Sequence, residues 1–124
     1  MQDFKHLRVW ETAHQLVLVI YRVTAHFPKE EQYGLTSQLR RAATSVPSNI
    51  AEGCGRDSDG DFARFLRIAQ GSANEVEYQL FLASDLGYLD AVVYGDLARQ
   101  IAEAKRMLNA FIQRVDPKKP RAKS

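Results

Sequence analysis

The sequence LTSQLRRAATSVPSNIAEG, residues 35–53, carries the pattern that decides the fold. Its apolar residues recur every three or four positions, which places them on one face of a helix: Leu35, Leu39, Ala42, Ala43, Val46 and Ile50. Pro47 interrupts this helix, because proline has no backbone N–H and its ring crowds the preceding turn. Since the apolar stripe continues in phase at Ile50, we predict a kink at Pro47 and not a break. Gly53 and Gly55 are expected to end the helix.

Three further segments repeat this helical spacing of apolar residues. They cover approximately residues 7–26, 59–85 and 90–115. The first is expected to end where Phe27 precedes Pro28, since a residue before proline is disfavoured in the helical conformation. Ser58 and Asp61 resemble a capping box at the start of the next segment, and Asp90 is a typical N-cap for the last.

Four helices joined by short connections predict an all-α protein, an antiparallel up-down-up-down four-helix bundle. The sequence has no sustained alternation of apolar and polar residues, so no strand is predicted. A chain of 124 residues is long enough for one domain and too short for two. We expect the bundle to occupy residues 1–115 and residues 116–124 to form a disordered basic tail, in which only Ala122 is apolar.

Composition narrows the class of protein. The net charge is +2, but residues 114–124 carry +4 and the rest of the chain −2, which makes the bundle a weak electrostatic trap for nucleic acid. The single cysteine, Cys54, excludes an intramolecular disulfide. The longest apolar run, Leu16–Ile20, is far too short to span a membrane, and the N-terminus lacks a signal-peptide core. We therefore expect a cytoplasmic protein that does not bind a membrane.

Three motifs resemble catalytic or metal sites but are incomplete. Glu11 and His14 form one Glu-x-x-His pair, whereas a di-iron bundle needs two such pairs and two more glutamates. The run Asp57–Asp61 resembles a calcium loop, but Phe62 and Ile68 occupy the positions that require glycine and glutamate. Cys54 has no neighbouring base in the sequence. We expect no metal, no cofactor and no enzymatic activity.

A stripe of polar residues runs beside the apolar stripes of the second and third helices. We call it the polar seam: Gln38, Arg41, Ser45, Asn49, Glu52, Ser72, Glu75 and Gln79. One interpretation is an ordinary solvated flank. The other is a partly buried, hydrogen-bonded seam, either between these two helices or between subunits, because a buried charge must be paired.

Several apolar residues lie off the core stripes. They are Leu18, Val19, Ile68, Phe81, Leu82 and Leu86. Apolar residues that a single bundle leaves exposed usually mark contact surfaces. We therefore predict a subunit interface at these six residues and self-assembly of the chain.

A second hypothesis for function is nucleic-acid binding. Its candidate contacts are Arg40, Arg64, Arg67, Arg99, Arg106, Lys118 and Lys119. Only assembly could concentrate these cations on one face. The alternative is that they are ordinary solvated helix charges.

Three blocks of sequence resemble the bacterial family of 23S rRNA intervening-sequence proteins. They are residues 4–10, residues 33–53 without Thr44, and residues 62–75. The resemblance extends over residues 4–112. It implies a left-handed four-helix bundle and self-assembly, with five-fold rings as the arrangement known for such bundles. The accessory protein of diversity-generating retroelements has a similar fold, and there a basic ring contacts nucleic acid and a reverse transcriptase. The resemblance brings no catalytic residues.

Together these observations predict a non-enzymatic protein that forms a homo-oligomeric ring, a pentamer by resemblance, and acts as a scaffold or adaptor. A nucleic-acid-binding accessory ring is the alternative, and an enzyme is the least favoured reading. The partner besides the chain itself, whether nucleic acid or another protein, is not named by the sequence.

Overall fold

The structure, a computed structural model, describes residues 3–117 and consists of four long helices in that range. They are α1 (Arg8–Thr24), α2 (Leu35–Cys54), α3 (Asp59–Asp85) and α4 (Ala91–Val115). Short 3-10 helices precede α1 and α2, at Phe4–His6 and Lys29–Glu31. No strand occurs in the described part of the chain, so the predicted all-α class is confirmed.

The helices form the predicted up-down-up-down bundle. Each packs against the next along the chain, and α1 also packs against α4, so that α1 and α3 lie at diagonal corners. The antiparallel direction is visible in contacts between α3 and α4: Lys105 of α4 binds Glu77, while Asp116, just beyond α4, binds Arg67 near the start of α3.

The core is built from the predicted apolar stripes. All six stripe residues of α2 are buried, and each helix contributes side chains that are almost completely hidden from water. The largest of these are Ile20, Leu39, Ile50, Leu66, Leu80, Leu97, Ile101, Leu108 and Val76. Full burial of one such side chain is worth about 1.5–3 kcal/mol, so these stripes hold the four helices together.

The helix α2 runs unbroken through Pro47, which is itself buried. The prediction that Pro47 does not end the helix is confirmed, and the kink stays a prediction. Of the two glycines expected to end the helix, Gly55 is the C-cap, whereas Gly53 lies inside α2, which continues to Cys54. At Gly53 the helix packs closely on α3: a Cβ placed there would lie 2.7 Å from Cδ1 of Phe62 and 3.2 Å from Cβ of Phe65.

The predicted helix starts carry the expected caps. The Ser58 hydroxyl accepts a hydrogen bond from the Asp61 N–H at 3.1 Å, and Asp90 Oδ1 accepts one from the Val93 N–H at 2.9 Å. The other end of α3 is closed by Gly87, whose φ of +81° suits glycine. The capping residues therefore fix where α3 and α4 begin.

One side chain ties two connections together at the same end of the bundle. Glu31 Oε1 accepts the Leu35 N–H at 3.0 Å, and its Oε2 accepts the Tyr88 hydroxyl at 2.9 Å. The hydrogen bond to Glu31, together with burial, raises the pKa of Tyr88 above its usual range. Glu31 thus joins the start of α2 to the α3–α4 connection, a contact between distant residues that helical periodicity does not reveal.

The expected tail lies largely outside the described residues. Asp116, which we assigned to that tail, is the C-cap of α4, and its side chain is only 8% exposed. Residues 118–124, including Lys118 and Lys119, lie outside the described residues. The helix α4 itself ends at Val115, and the boundary between bundle and tail stays a prediction.

The close contact at Gly53 gives a test of the packing. Gly53→Ala is expected to lower the free energy of unfolding by about 1–3 kcal/mol, because the added methyl overpacks a position where Phe62 is already held against Phe111. Gly60→Ala is the matched control, since a Cβ there meets no atom within 4 Å. Urea unfolding measures both. Equal stability of the two variants would contradict the predicted overpacking at Gly53.

Candidate functional site

The centre of the polar seam is a chain of hydrogen bonds between α2 and α3. The Ser72 hydroxyl donates to Ser45 Oγ at 2.8 Å. Asn49 Nδ2 donates to the same Oγ at 2.9 Å and to the Ser45 carbonyl oxygen at 2.8 Å. Three of the eight seam residues are therefore joined within one chain. Their bonds fix the register of the two antiparallel helices.

Gln79 is the most deeply buried member of the seam. Gln79 is 5% exposed, and its side-chain Oε1 has no hydrogen-bond partner among residues 3–117. An unpaired buried acceptor costs about 1–3 kcal/mol. Gln38 lies seven residues before Ser45 and Gln79 seven residues after Ser72, so the antiparallel register puts the two amides at the same level.

The remaining seam residues are exposed. Glu52 pairs with Arg56 one turn further along α2. Neither Arg41 nor Glu75 has an ion-pair partner in the described residues, and Gln38 is exposed beside them. The seam therefore has a hydrogen-bonded centre and an outer edge whose charges are open to another molecule.

The apolar residues predicted as an interface separate into two groups. Val19 and Leu82 are half-buried and pack against the core. Four of the predicted residues are exposed by a third to a half of their surface: Leu18, Ile68, Phe81 and Leu86. Tyr78 is also exposed on α3, and we use the name α3 apolar face for Ile68, Tyr78, Phe81 and Leu86, the C-cap of α3. These residues are spread along the solvent-exposed side of the helix among charged residues and do not form one continuous patch.

Sequence reasoning missed Tyr78, and with it Tyr21, Tyr33 and Val92, which are also exposed. Tyrosine combines an apolar ring with a polar hydroxyl, so helical spacing alone does not tell whether it is buried. Their positions away from the core stripes do indicate that these residues are exposed.

The two exposed apolar surfaces point in different directions. Leu18 lies on α1 and the α3 apolar face on α3, and these helices are diagonal in the bundle. Within α3, Gly71 lies beside Ile68 on the exposed side, and no atom comes within 4 Å of a Cβ placed there. No described residue therefore packs against Gly71.

Most of the predicted basic contacts are compensated by carboxylates. Four of the arginines form ion pairs: Arg64 with Asp61, Arg67 with Asp116, Arg99 with Asp96, and Arg106 with Glu103. Arg40 differs, because it binds the Thr24 hydroxyl and the Tyr21 carbonyl instead. Surface pairs add only about 0–1 kcal/mol of stability, but they cancel the local positive charge.

Two residues from the motifs considered for catalysis or metal binding, Cys54 and His14, pack against other groups of the bundle: Cys54 is buried and His14 lies against an aromatic ring. Burial, and to a lesser degree Asp3, raises the pKa of the Cys54 thiol, which disfavours the reactive thiolate. His14 stacks on Trp10 with ring centroids 4.8 Å apart. Across residues 3–117, no group of three His, Cys, Asp or Glu side chains is arranged to hold a metal ion. No described helix is long and apolar enough to cross a bilayer.

The fold and these surfaces define a four-helix bundle with a hydrogen-bonded polar seam and unpartnered apolar faces. The chain belongs to the 23S rRNA-intervening sequence protein family, whose family model matches residues 5–110. The resemblance found in the sequence is thereby confirmed.

A solved structure is similar to this chain over most of both molecules. It is a protein of unknown function from the S23 ribosomal protein family of Bacteroides thetaiotaomicron. The two chains are 25% identical, with a TM-score of 0.79, and the similarity covers 85% of this chain and 98% of the other. Comparison with curated proteins gives no match.

The hydrogen bond between Ser45 and Ser72 can be tested with a double-mutant cycle. Ser45→Ala and Ser72→Ala should each lower the free energy of unfolding by about 0.5–1.5 kcal/mol, and the double variant by less than the sum, because both remove the same bond. Ser48→Ala, at an exposed position of α2, is the control. Additive effects in urea unfolding would contradict the coupling.

Proposed function

We propose that the chain is a non-enzymatic bundle that assembles with copies of itself into a closed ring and acts as a scaffold or adaptor. The observation that carries this proposal is the exposure of apolar residues on two diagonal helices, Leu18 on α1 and the α3 apolar face. An exposed apolar patch in a small protein usually marks a partner surface. A copy of the same chain is the partner to which both surfaces are always available.

The placement of the two surfaces favours a ring over a simple dimer. A two-fold dimer uses the same patch on both subunits, whereas a head-to-tail contact joins two different patches and closes into a ring when the rotation permits. Leu18 on α1 and the α3 apolar face supply two different patches. The pentamer is the stoichiometry that the family resemblance implies.

Features next to the α3 apolar face support a helix–helix contact there. Glycine inside a helix costs about 0.8–1 kcal/mol relative to alanine, and Gly71 has no packing role within the described chain. A partner helix could approach closely at this point. Ile68 lies three residues before Gly71 and Glu75 four residues after it, on the same exposed side of α3.

The outer edge of the polar seam supplies polar groups for such a contact. Glu75 has no ion-pair partner in the described residues and lies on the exposed side of α3. In the proposed assembly, this carboxylate meets a positively charged partner across the contact. Pairing of this kind fixes the geometry of association and performs no chemistry.

Nucleic-acid binding is the second candidate function. Compensated arginines argue against a broad basic surface. One observation favours the candidate: a groove beside the start of α2, described below, is lined by cations and tyrosines and by no carboxylate of the described chain.

Assembly through the α3 apolar face is tested by placing a charge in it. Ile68→Asp should shift the mass in solution toward the monomer and raise the concentration for half-dissociation about 10- to 100-fold. The reason is that the proposed contact buries Ile68, and the variant places a charged residue there instead. Light scattering over a concentration series measures this. Leu82→Asp is less informative, since Leu82 also packs against the core.

Val92→Asp is the matched control for Ile68→Asp. Val92 is 77% exposed, at the start of α4, and outside the α3 apolar face. Both variants should keep the helical circular dichroism of the parent. A parent chain that is monomeric at micromolar concentration, or an Ile68→Asp variant with the parent's mass, would contradict the proposal.

The unpaired oxygen of Gln79 gives an independent prediction about stability. Gln79→Met should raise the free energy of unfolding by about 1–3 kcal/mol, because an unpaired buried acceptor is removed. Gln113→Met, at an exposed site on α4, is the control. A Gln79→Met variant that is less stable than the parent in urea unfolding would contradict the prediction.

A further inference from the structure

A groove of about 400 Å³ lies beside the first turn of α2, where α1 has ended. Its walls include Tyr21 from α1, Tyr33 from the connection, and Arg40 and Arg41 from α2. A smaller groove of about 240 Å³ adjoins it, shares Arg40, and adds Lys29. No Asp or Glu of the described chain lines either groove, although the whole sequence contains 15 acidic residues.

Arg40 is held in place by groups that do not neutralise its charge. Its Nε donates to Thr24 Oγ1 at 2.8 Å, and its Nη2 donates to the Tyr21 carbonyl oxygen at 3.1 Å. The guanidinium carbon lies 4.5 Å from the centroid of the Tyr21 ring. Thr24 is buried and donates to the Ile20 carbonyl at 2.7 Å, so the support is rigid. The result is a fixed cation without a carboxylate partner.

The groove also presents aromatic rings to solvent. Tyr33 is 89% exposed and Tyr21 is 44% exposed. A ring as open as that of Tyr33 adds little to the core of the bundle, and its face is free to stack on another flat group. Any of the nucleobases can stack on an aromatic side chain, because every base has a π-face.

The local field favours an anion. Arg41 has no ion-pair partner among residues 3–117. The N–H groups of Thr36 and Ser37, in the first turn of α2, have no acceptor within the helix, and the helix dipole makes this end positive. In the connection before α2, Glu30 is exposed, and Glu31 is turned to other partners, since its oxygens bind the Leu35 N–H and the Tyr88 hydroxyl.

We propose that this groove binds single-stranded nucleic acid, with a base stacked on Tyr33 and the adjoining phosphate bound by Arg40 and Arg41. An aromatic ring joined to an anion is the chemistry that the groove complements, and unpaired bases expose their faces whereas duplex bases do not. The inference rests on the second candidate function, nucleic-acid binding, and does not depend on self-association.

Fluorescence anisotropy with a labelled oligouridylate of about ten nucleotides at low salt tests the inference. Tyr33→Ala should weaken binding about 5- to 100-fold, whereas Tyr33→Phe should keep it, because the ring and not the hydroxyl stacks. Arg41→Gln should weaken binding and reduce the slope of log affinity against log salt by about one. Arg8→Gln, which removes an exposed arginine at the start of α1 and outside the groove, should leave binding unchanged.

Two further ligands, a duplex and a mononucleotide, test whether the groove prefers a single strand. A duplex of the same length should bind more weakly than the single strand, and uridine monophosphate should bind far more weakly than the oligonucleotide. A mononucleotide that binds as tightly as the oligonucleotide would overturn the assignment to single strands.

The remaining outcomes each overturn a stated part of the inference. A parent chain that binds no oligonucleotide at low salt would remove both the groove and the second candidate function. Binding that survives Tyr33→Ala and Arg41→Gln unchanged would overturn the groove alone, since nucleic acid would then be bound elsewhere. If Tyr33→Ala lowers the mass of the assembly and leaves oligonucleotide binding intact, Tyr33 belongs to a subunit contact and the assignment is wrong.

Discussion

The close approach of α2 to α3 is the constraint on which the rest of the structure depends. Gly53 has no room for a side chain against Phe62, and Ala69 and Ala73 of α3 are completely buried. Small residues let two helices pack closely, and the same approach brings the hydroxyls of Ser45 and Ser72 within hydrogen-bonding distance. Side chains that lie just outside this contact, such as Ile68, are kept out of the core and remain exposed.

Helical periodicity and capping chemistry predicted the fold well because both depend on residues that are near one another in the sequence. The bounds of α3 are those expected, and Ser58 and Asp90 cap the helices that they were expected to cap. Contacts between distant residues were not predictable in this way. Glu31 meets Tyr88 only because the bundle brings two connections to the same end. Gly53 looked like a stop signal, since its role in packing appears only against α3.

The candidate site was predictable to a smaller degree. Spacing placed Ser45, Asn49 and Ser72 beside the core, but it could not tell which seam residues are buried and which are open. The pairing of Arg64, Arg99 and Arg106 could have been foreseen, because each follows an acidic residue by three positions on a helix. The pair between Arg67 and Asp116 could not, since 49 positions separate the two residues.

The two proposals use opposite flanks of α2 and are therefore separable. Ser45 and Asn49 face α3, where assembly is proposed, while Arg40 is fixed against α1, where nucleic-acid binding is proposed. A ring would repeat the tyrosine-lined groove once in every subunit. Since linked sites raise the effective concentration of the second binding event, a groove that holds only one or two nucleotides weakly could bind a longer strand far more tightly when several copies engage it. Self-association would then set the affinity for a strand without supplying a single new contact to it, and the charge of the bundle could stay close to neutral.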